Sequence, residues 1–373
     1  MSPPVSVNTP LFNGNEKKYL NECIDTGWIS SEGSFIKRFE TQFSEFVNRK
    51  FGIAVSSGSA ALDVAVKAIG IMPGDEVIMP TFTIISPLLS LIKAGAVPVF
   101  IDSEPDTWNM DTSQIEAKIT AKTKAILIVH IFGLPANIDV ILQLAKKHNL
   151  LVIEDAAEMH GQKFLDEKCG SFGDISIFSF YANKNITTGE GGMIMCNDEK
   201  LAENCKKLRN LAFEPEMQRF VHYESGWNYR MTNMQGAVGL AQLEQIEQFI
   251  EKKKHVGQFY QNELGFLKNF GFKLPLSETG YAKNIYWVFG LIAPNEKEKE
   301  RLTKFLHHKQ IGTRPFFWCM HEQPLLKSLG YSDNLKYPVA ENLARCGMYI
   351  PSGLGISEIE LKVVTDAIKS LYA

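Results

Sequence analysis

Between residues 51 and 155, short apolar runs alternate with stretches of helical period. Phe51–Val55, Glu76–Met79, Val97–Ile101, Lys124–Val129 and Leu150–Ile153 read as strands, and Ala60–Ile69, Pro87–Ala94 and Ile138–His148 as the helices between them. This alternation predicts an α/β fold, a mostly parallel sheet with helices on both faces. A strand covered on both faces has no polar side to show, which accounts for the unbroken run Ala125-Ile126-Leu127-Ile128-Val129. Pro73-Gly74-Asp75 and Gly95-Ala96 punctuate the units. Ile175–Phe180 and Gly192–Cys196 supply two more strands, which brings the expected sheet to seven.

Thr232–Leu264 predicts one long helix, and its charged run Glu251-Lys252-Lys253-Lys254-His255 reads as a solvated face. Beyond about residue 255 the pattern changes. Tyr286–Ile292 reads as a strand, Lys297–Lys309 as an amphipathic helix and Ser357–Leu371 as a closing helix. The expectation is a large domain over 1–250, including an N-terminal arm, and a smaller α+β domain over 251–373, with the long helix crossing the boundary.

Composition narrows the classes. With 373 residues, 45% of them apolar and 22% charged, the chain can bury a large core and reads as an ordinary globular protein. A net charge of −3 points away from nucleic acid. No apolar run reaches membrane-spanning length and the N-terminus has no signal-peptide pattern, so a cytoplasmic protein with no membrane partner is expected. The six cysteines show no Cys-x-x-Cys pair, so they read as free thiols and no metal site is expected.

Three segments carry candidate chemistry. Ser56-Ser57-Gly58-Ser59-Ala60-Ala61-Leu62 follows a strand and opens a helix, where free backbone N–H groups and the helix dipole favour a phosphate. Gly58 allows close approach and Ser59 adds a hydroxyl. Glu154-Asp155-Ala156-Ala157-Glu158 closes an apolar strand, at the edge where parallel sheets bind ligands. Ser179-Phe180-Tyr181-Ala182-Asn183-Lys184 leaves another strand and returns through Thr187-Thr188-Gly189-Glu190-Gly191-Gly192. A lysine drawn into such a site loses its proton readily and becomes nucleophilic. Lysine and paired carboxylate together are what pyridoxal phosphate requires: an amine for its aldehyde, and an acid that keeps its ring nitrogen protonated. The order Gly-x-x-x-x-Gly-Lys-Ser/Thr is missing, which argues against nucleotide hydrolysis. His130, at the end of an apolar strand, and His321, after Arg314-Pro315-Phe316-Phe317-Trp318, are candidates for lining the site.

These motifs, with Asp25-Thr26-Gly27-Trp28-Ile29-Ser30-Ser31, Val129-His130-Ile131-Phe132-Gly133, Asn228-Tyr229-Arg230-Met231-Thr232-Asn233 and Gly312-Thr313-Arg314-Pro315, resemble the DegT/StrS family of sugar-nucleotide aminotransferases. The resemblance spans nearly the whole chain. It implies the fold of type I pyridoxal phosphate enzymes and transamination of a nucleotide-linked 4-keto-6-deoxy sugar with L-glutamate as donor. Within the family the likeness is greatest to members that aminate GDP-4-keto-6-deoxymannose. By matching position, Lys184 would bond the cofactor and shuttle the proton. Asp155 would pair with the pyridine nitrogen, and Glu158 would lie near the phenolic oxygen. Gly58, Ser59 and Ser179 would hold the phosphate, and Asn228 would reach the cofactor of a neighbouring subunit, which implies a homodimer with shared sites. Trp28, Ser30, His130, Arg230 and His321 would be substrate contacts. Ile84 stands where relatives commonly carry an aromatic residue against the ring. UDP- or dTDP-linked sugars are alternative substrates. A dehydratase is disfavoured because such relatives replace the lysine with histidine, and a non-catalytic regulator is the remaining alternative.

Overall fold

The computed structural model describes residues 4–214, 217–331 and 335–372. Its centre is a sheet of β1 (Phe51–Val55), β2 (Glu76–Pro80), β3 (Val97–Ile101), β4 (Thr123–Val129), β5 (Leu151–Asp155), β8 (Ile175–Ser179) and β9 (Gly192–Cys196), in the order β1-β9-β8-β5-β4-β2-β3. The pairs β2–β3, β2–β4, β4–β5 and β5–β8 are parallel, and β9 runs antiparallel to both neighbours. A separate hairpin, β6 (Lys163–Phe164) with β7 (Glu167–Lys168), lies in the β5–β8 connection. The antiparallel β9 follows from the link before it. Residues 180–191 turn back at one end of the sheet with no helix to carry the chain across, and only a parallel return needs that crossover.

Helices α1 (Glu16–Thr26), α2 (Ser34–Val47), α3 (Gly58–Ala68), α4 (Ile85–Lys93), α5 (Ile138–His148), α6 (Glu199–Arg209), α7 (Asn233–Leu243) and α8 (Ile246–Leu264) cover the two faces. On α2, Phe35, Phe39, Phe43 and Val47 recur every fourth residue and are all buried, one stripe against the sheet. Phe43 meets Phe178 of β8 edge-on at 4.9 Å. Burying each such side chain contributes about 1.5–3 kcal/mol. Ser57 caps α3, its hydroxyl accepting 3.1 Å from the Ala60 amide, so the helix starts where β1 ends.

The single long helix expected over 232–264 is two helices. Glu244, between them, is drawn aside by Asn15 and by the Tyr19 hydroxyl, each 2.7 Å from its carboxylate, and Gln245 leaves helical geometry with φ −114°. The expectation of a solvated charged face also needs correction at one position. Lys253 is 1% exposed, its amine turned inward to backbone carbonyls while its neighbours on α8 face water. Helical period explains the difference, because adjacent residues on a helix point about 100° apart.

The C-terminal body holds a small sheet, β10 (Phe289–Ile292), β11 (Arg314–Pro315) and β12 (Gly347–Ile350), ordered β10-β12-β11 and antiparallel. Around it lie α9 (Glu296–His308), α10 (Pro324–Ser328), α11 (Pro338–Cys346) and α12 (Glu358–Tyr372). The N-terminal segment lies against this body: the amides of Val5 and Gly312 bond to the carbonyls of Gln310 and Val5, and the Ser352 amide to Val7. Phe316, Met320, Tyr337 and Leu343 join the core beneath the large sheet, so the two bodies share one hydrophobic cluster. All six cysteines are free and buried.

Candidate active site

Val129, Asp155 and Ser179 are the last residues of β4, β5 and β8, and all three line a cavity of about 330 Å³ at that edge of the sheet. The link to β9 carries Lys184 into the same space, where its amine sits 3.9 Å from Glu158 Oε1 and 3.8 Å from the centre of the Trp287 ring. The other Glu158 oxygen accepts 2.7 Å from the Phe132 amide. Asp155 Oδ1 accepts 3.0 Å from the Ala157 amide, which turns the chain so that Asp155 and Glu158 share the cavity.

Burial dominates the electrostatics. It pushes Asp155 up to about 6, against the pull of the Ala157 amide and of Lys184. It also raises Glu158 and lowers Lys184, each partly offset by the other's charge. Desolvation penalises the charged form of all three, which leaves an amine and two acids held away from their ordinary protonation states. His160, fully enclosed by Phe43, Phe178 and Phe180, is held neutral, pushed down to about 3 by burial.

The first turn of α3, Ser86 and Ser179 also line the cavity. The hydroxyls of Ser59 and Ser86 are 2.8 Å apart, and Ser179 Oγ receives only a long 3.4 Å contact from the Tyr181 amide. Gly58 is pressed on Ser179: a Cβ there would come 2.7 Å from the Ser179 Cβ.

Lys184, Asp155, Glu158, Gly58, Ser59, Ser179 and Ile84 therefore meet in one cavity. The other expected contacts do not join them within this chain. His130 is the clearest correction. It is wholly buried outside the cavity; Nδ1 accepts 3.1 Å from the Ala136 amide, so Nε2 carries the proton toward Glu154 at 3.2 Å. Strand alternation is the reason: Val129 and Asp155 face the cavity, so His130 and Glu154 face the other way. His321 is set behind the wall, its Nδ1 2.7 Å from the Thr81 hydroxyl and its Nε2 3.5 Å from Glu341. Trp28, Ser30 and Asn228 are exposed, and Arg230 lines a second cleft of about 630 Å³ with Ser31 and Arg209. Trp287, Phe317 and Tyr349 line the Lys184 cavity without having been singled out. Phe317 lay inside a noted aromatic run, but no local pattern marks Trp287 or Tyr349, which arrive from the C-terminal body.

The fold and this site are those of an aminotransferase. The profile of the DegT/DnrJ/EryC1/StrS aminotransferase family matches residues 11–369, and the chain belongs to that family. Among the relatives, the GDP-perosamine synthase of Escherichia coli O157:H7 is 40% identical over 370 residues, 99% of each chain. That of Caulobacter vibrioides is 41% identical over 368 residues, 98% of each chain. The X-ray structure of the aminotransferase from Psychrobacter cryohalolentis superposes with a TM-score of 0.91 at 29% identity, covering 99% of both chains. The family's cofactor is pyridoxal phosphate, and the cavity suits it. Gly58 leaves open the space a side chain would fill, and the same cavity offers hydroxyls and a helix start that suit a phosphate, a buried acid that suits a ring nitrogen, and an amine.

Proposed function

We propose that this enzyme transfers the amino group of L-glutamate to C4 of GDP-4-keto-6-deoxy-D-mannose, giving GDP-perosamine for surface polysaccharide such as the O-antigen of lipopolysaccharide. Relatives named for that activity, alike over nearly the full chain, support the substrate. The observation that carries the reading is the buried amine of Lys184, 3.9 Å from Glu158 in the cavity that also holds Asp155.

Lys184, Asp155, Glu158, Gly58, Ser59 and Ser179 would hold pyridoxal phosphate. When bound, the cofactor supplies an aldehyde carbon that takes up the amine and a ring that stores electrons. Asp155 would pair with the ring nitrogen and, by its charge, favour that nitrogen's protonated form. Ser59, Ser179 and the α3 amides would hold the phosphate by hydrogen bonds, with the helix dipole favouring its charge. Lys184 Nζ, disposed by burial to give up its proton, would take the proton from the donor's Cα and hand it on within the same half-reaction, and in the acceptor half would deliver a proton to C4 of the sugar. Glu158 stands beside it as the nearest carboxylate.

Trp28, Ser30, Asn228 and Arg230 lie away from the Lys184 cavity, which supports a homodimer in which one protomer completes the site of the other. A cytoplasmic location is part of this proposal; no helix among the described residues is long and apolar enough to cross a membrane. The test is to offer GDP-, UDP- and dTDP-4-keto-6-deoxy sugars with L-glutamate and weigh the products. Amination of the GDP sugar in preference to the others is expected. Amination of only UDP or dTDP sugars would overturn the substrate, and no product from any would overturn the activity.

A further inference from the structure

Trp287 is fixed from three sides at the amine of Lys184. Its ring face stands 3.8 Å from Nζ, and its indole N–H donates 2.9 Å to the carbonyl of Asn183, the residue before Lys184. Its own carbonyl accepts 2.7 Å from the amine of Lys253, which also donates to the carbonyl of Ser352. Lys253 is buried with no carboxylate in ion-pair reach among the described residues; burial pushes its amine down to about 7, and the two carbonyls are what hold it there.

The backbone before Trp287 is constrained as well. Tyr286 sits in the left-handed region at φ 52°, its amide donating 2.6 Å to Asn284 Oδ1. Gly257, one turn beyond Lys253 on α8, lies where any Cβ would come 2.1 Å from the Tyr286 ring. A bulky residue at positive φ persists only where its surroundings over-determine it. Here Lys253, Gly257 and Asn284 all act on the segment that aims the indole.

We infer that Trp287 is a positioning residue for Lys184 and that Lys253 is its anchor. The indole face holds the amine in place and favours its protonated state, through attraction between a cation and the ring quadrupole. The inference rests on Lys184 being the reactive lysine. The other titratable groups of the cavity are Glu158 and Asp155 from the β5 exit, Tyr181 and Glu190 from the Lys184 link and Tyr349 from β12, while His160, enclosed outside it, feels the Lys184 charge. Glu158 and Asp155 also favour the ammonium, and burial opposes it. Trp287 adds a contribution from the C-terminal body, so the proton affinity of Lys184 depends on how α8 and the 284–288 segment seat against the large sheet.

The test is competitive acetylation of the full-length, cofactor-free chain with trace acetic anhydride from about pH 6 to about pH 10, reading Lys184 by peptide mass. Trp287→Leu should lower the labelling midpoint by about half to one pH unit, raising labelling below the midpoint about three- to tenfold. Trp287→Phe keeps a ring face and should return to within about 0.3 unit of wild type. Lys253→Met should shift the midpoint in the same direction by a smaller amount. Coincident midpoints for wild type, Trp287→Leu and Lys253→Met would overturn the inference. Should Trp287→Leu fail to fold, Lys253→Met, close in volume, decides alone: an unmoved midpoint overturns it. Wild-type protein loaded with pyridoxal phosphate is the control, in which Lys184 should be protected. Loss of that protection would instead overturn the parent reading of the site.

Discussion

Glu158 divides its carboxylate between two partners: one oxygen accepts 2.7 Å from the Phe132 amide, and the other stands 3.9 Å from the amine of Lys184. The first contact fixes the side chain and the second leaves a carboxylate oxygen facing the reacting amine. Glu158→Gln can keep the Phe132 bond through its amide oxygen but loses the charge. Turnover should fall about ten- to a hundredfold, with cofactor still bound and the pH–rate profile displaced. Steady-state rates across pH check this, and an unchanged profile would remove Glu158 from the mechanism.

Asp155 should trade stability for function. Its folded pKa is raised from 3.8 to about 6, so between these values the folded chain holds a proton that the unfolded chain has lost. Stability of the cofactor-free protein therefore falls as pH rises through that window, and the deficit is complete above it. A shift of about two units corresponds to about 3 kcal/mol. Asp155→Asn should be more stable than wild type at pH 8 without cofactor, equal to it near pH 4, and at least about a hundredfold less active. Urea unfolding at the two pH values checks the sign.

Gly58 and Ser59 should control cofactor affinity. A methyl at Gly58 would meet the Ser179 Cβ at 2.7 Å and push into the phosphate end of the cavity. Gly58→Ala should weaken pyridoxal phosphate binding at least about tenfold, about 1.4 kcal/mol. Ser59→Ala loses one hydrogen bond to a charged group, about 1.5–3 kcal/mol. Equilibrium dialysis of both variants reads these losses directly.

A shared site makes a prediction that no single variant can. If Asn228 serves the neighbouring subunit, Lys184→Ala and Asn228→Ala carry lesions that can fall in the same site of a hybrid dimer. Mixing the two inactive proteins in equal amounts, with subunit exchange, should restore roughly one quarter of wild-type sites. No recovery despite exchange would confine each site to one chain.

Much of this was legible in the sequence, for reasons that particular residues show. β1, β3 and β9 fall where their apolar runs begin and end. The Lys184, Asp155–Glu158 and Gly58–Ser59 segments announced themselves because each breaks its strand with chemistry the turn does not need. The buried stripe of α2, Phe35 to Val47, had a clear period but was not read as an element. The break at Glu244–Gln245 was invisible because its cause is a tertiary tie to α1. His130 looked like a site residue by its place at a strand end, yet one step of strand alternation sends it to the far side. Trp287 and Lys253 could not be found locally at all, since each acquires its meaning from a contact between bodies distant in the chain.

A covalent bond at Lys184 is the centre of the proposed chemistry. Purified protein loaded with pyridoxal phosphate should be yellow, and borohydride followed by peptide mapping should place one reduced pyridoxyl group on the peptide that contains Lys184, while Lys184→Ala takes up none and turns nothing over. A label on another lysine, or near-normal turnover in Lys184→Ala, would contradict it.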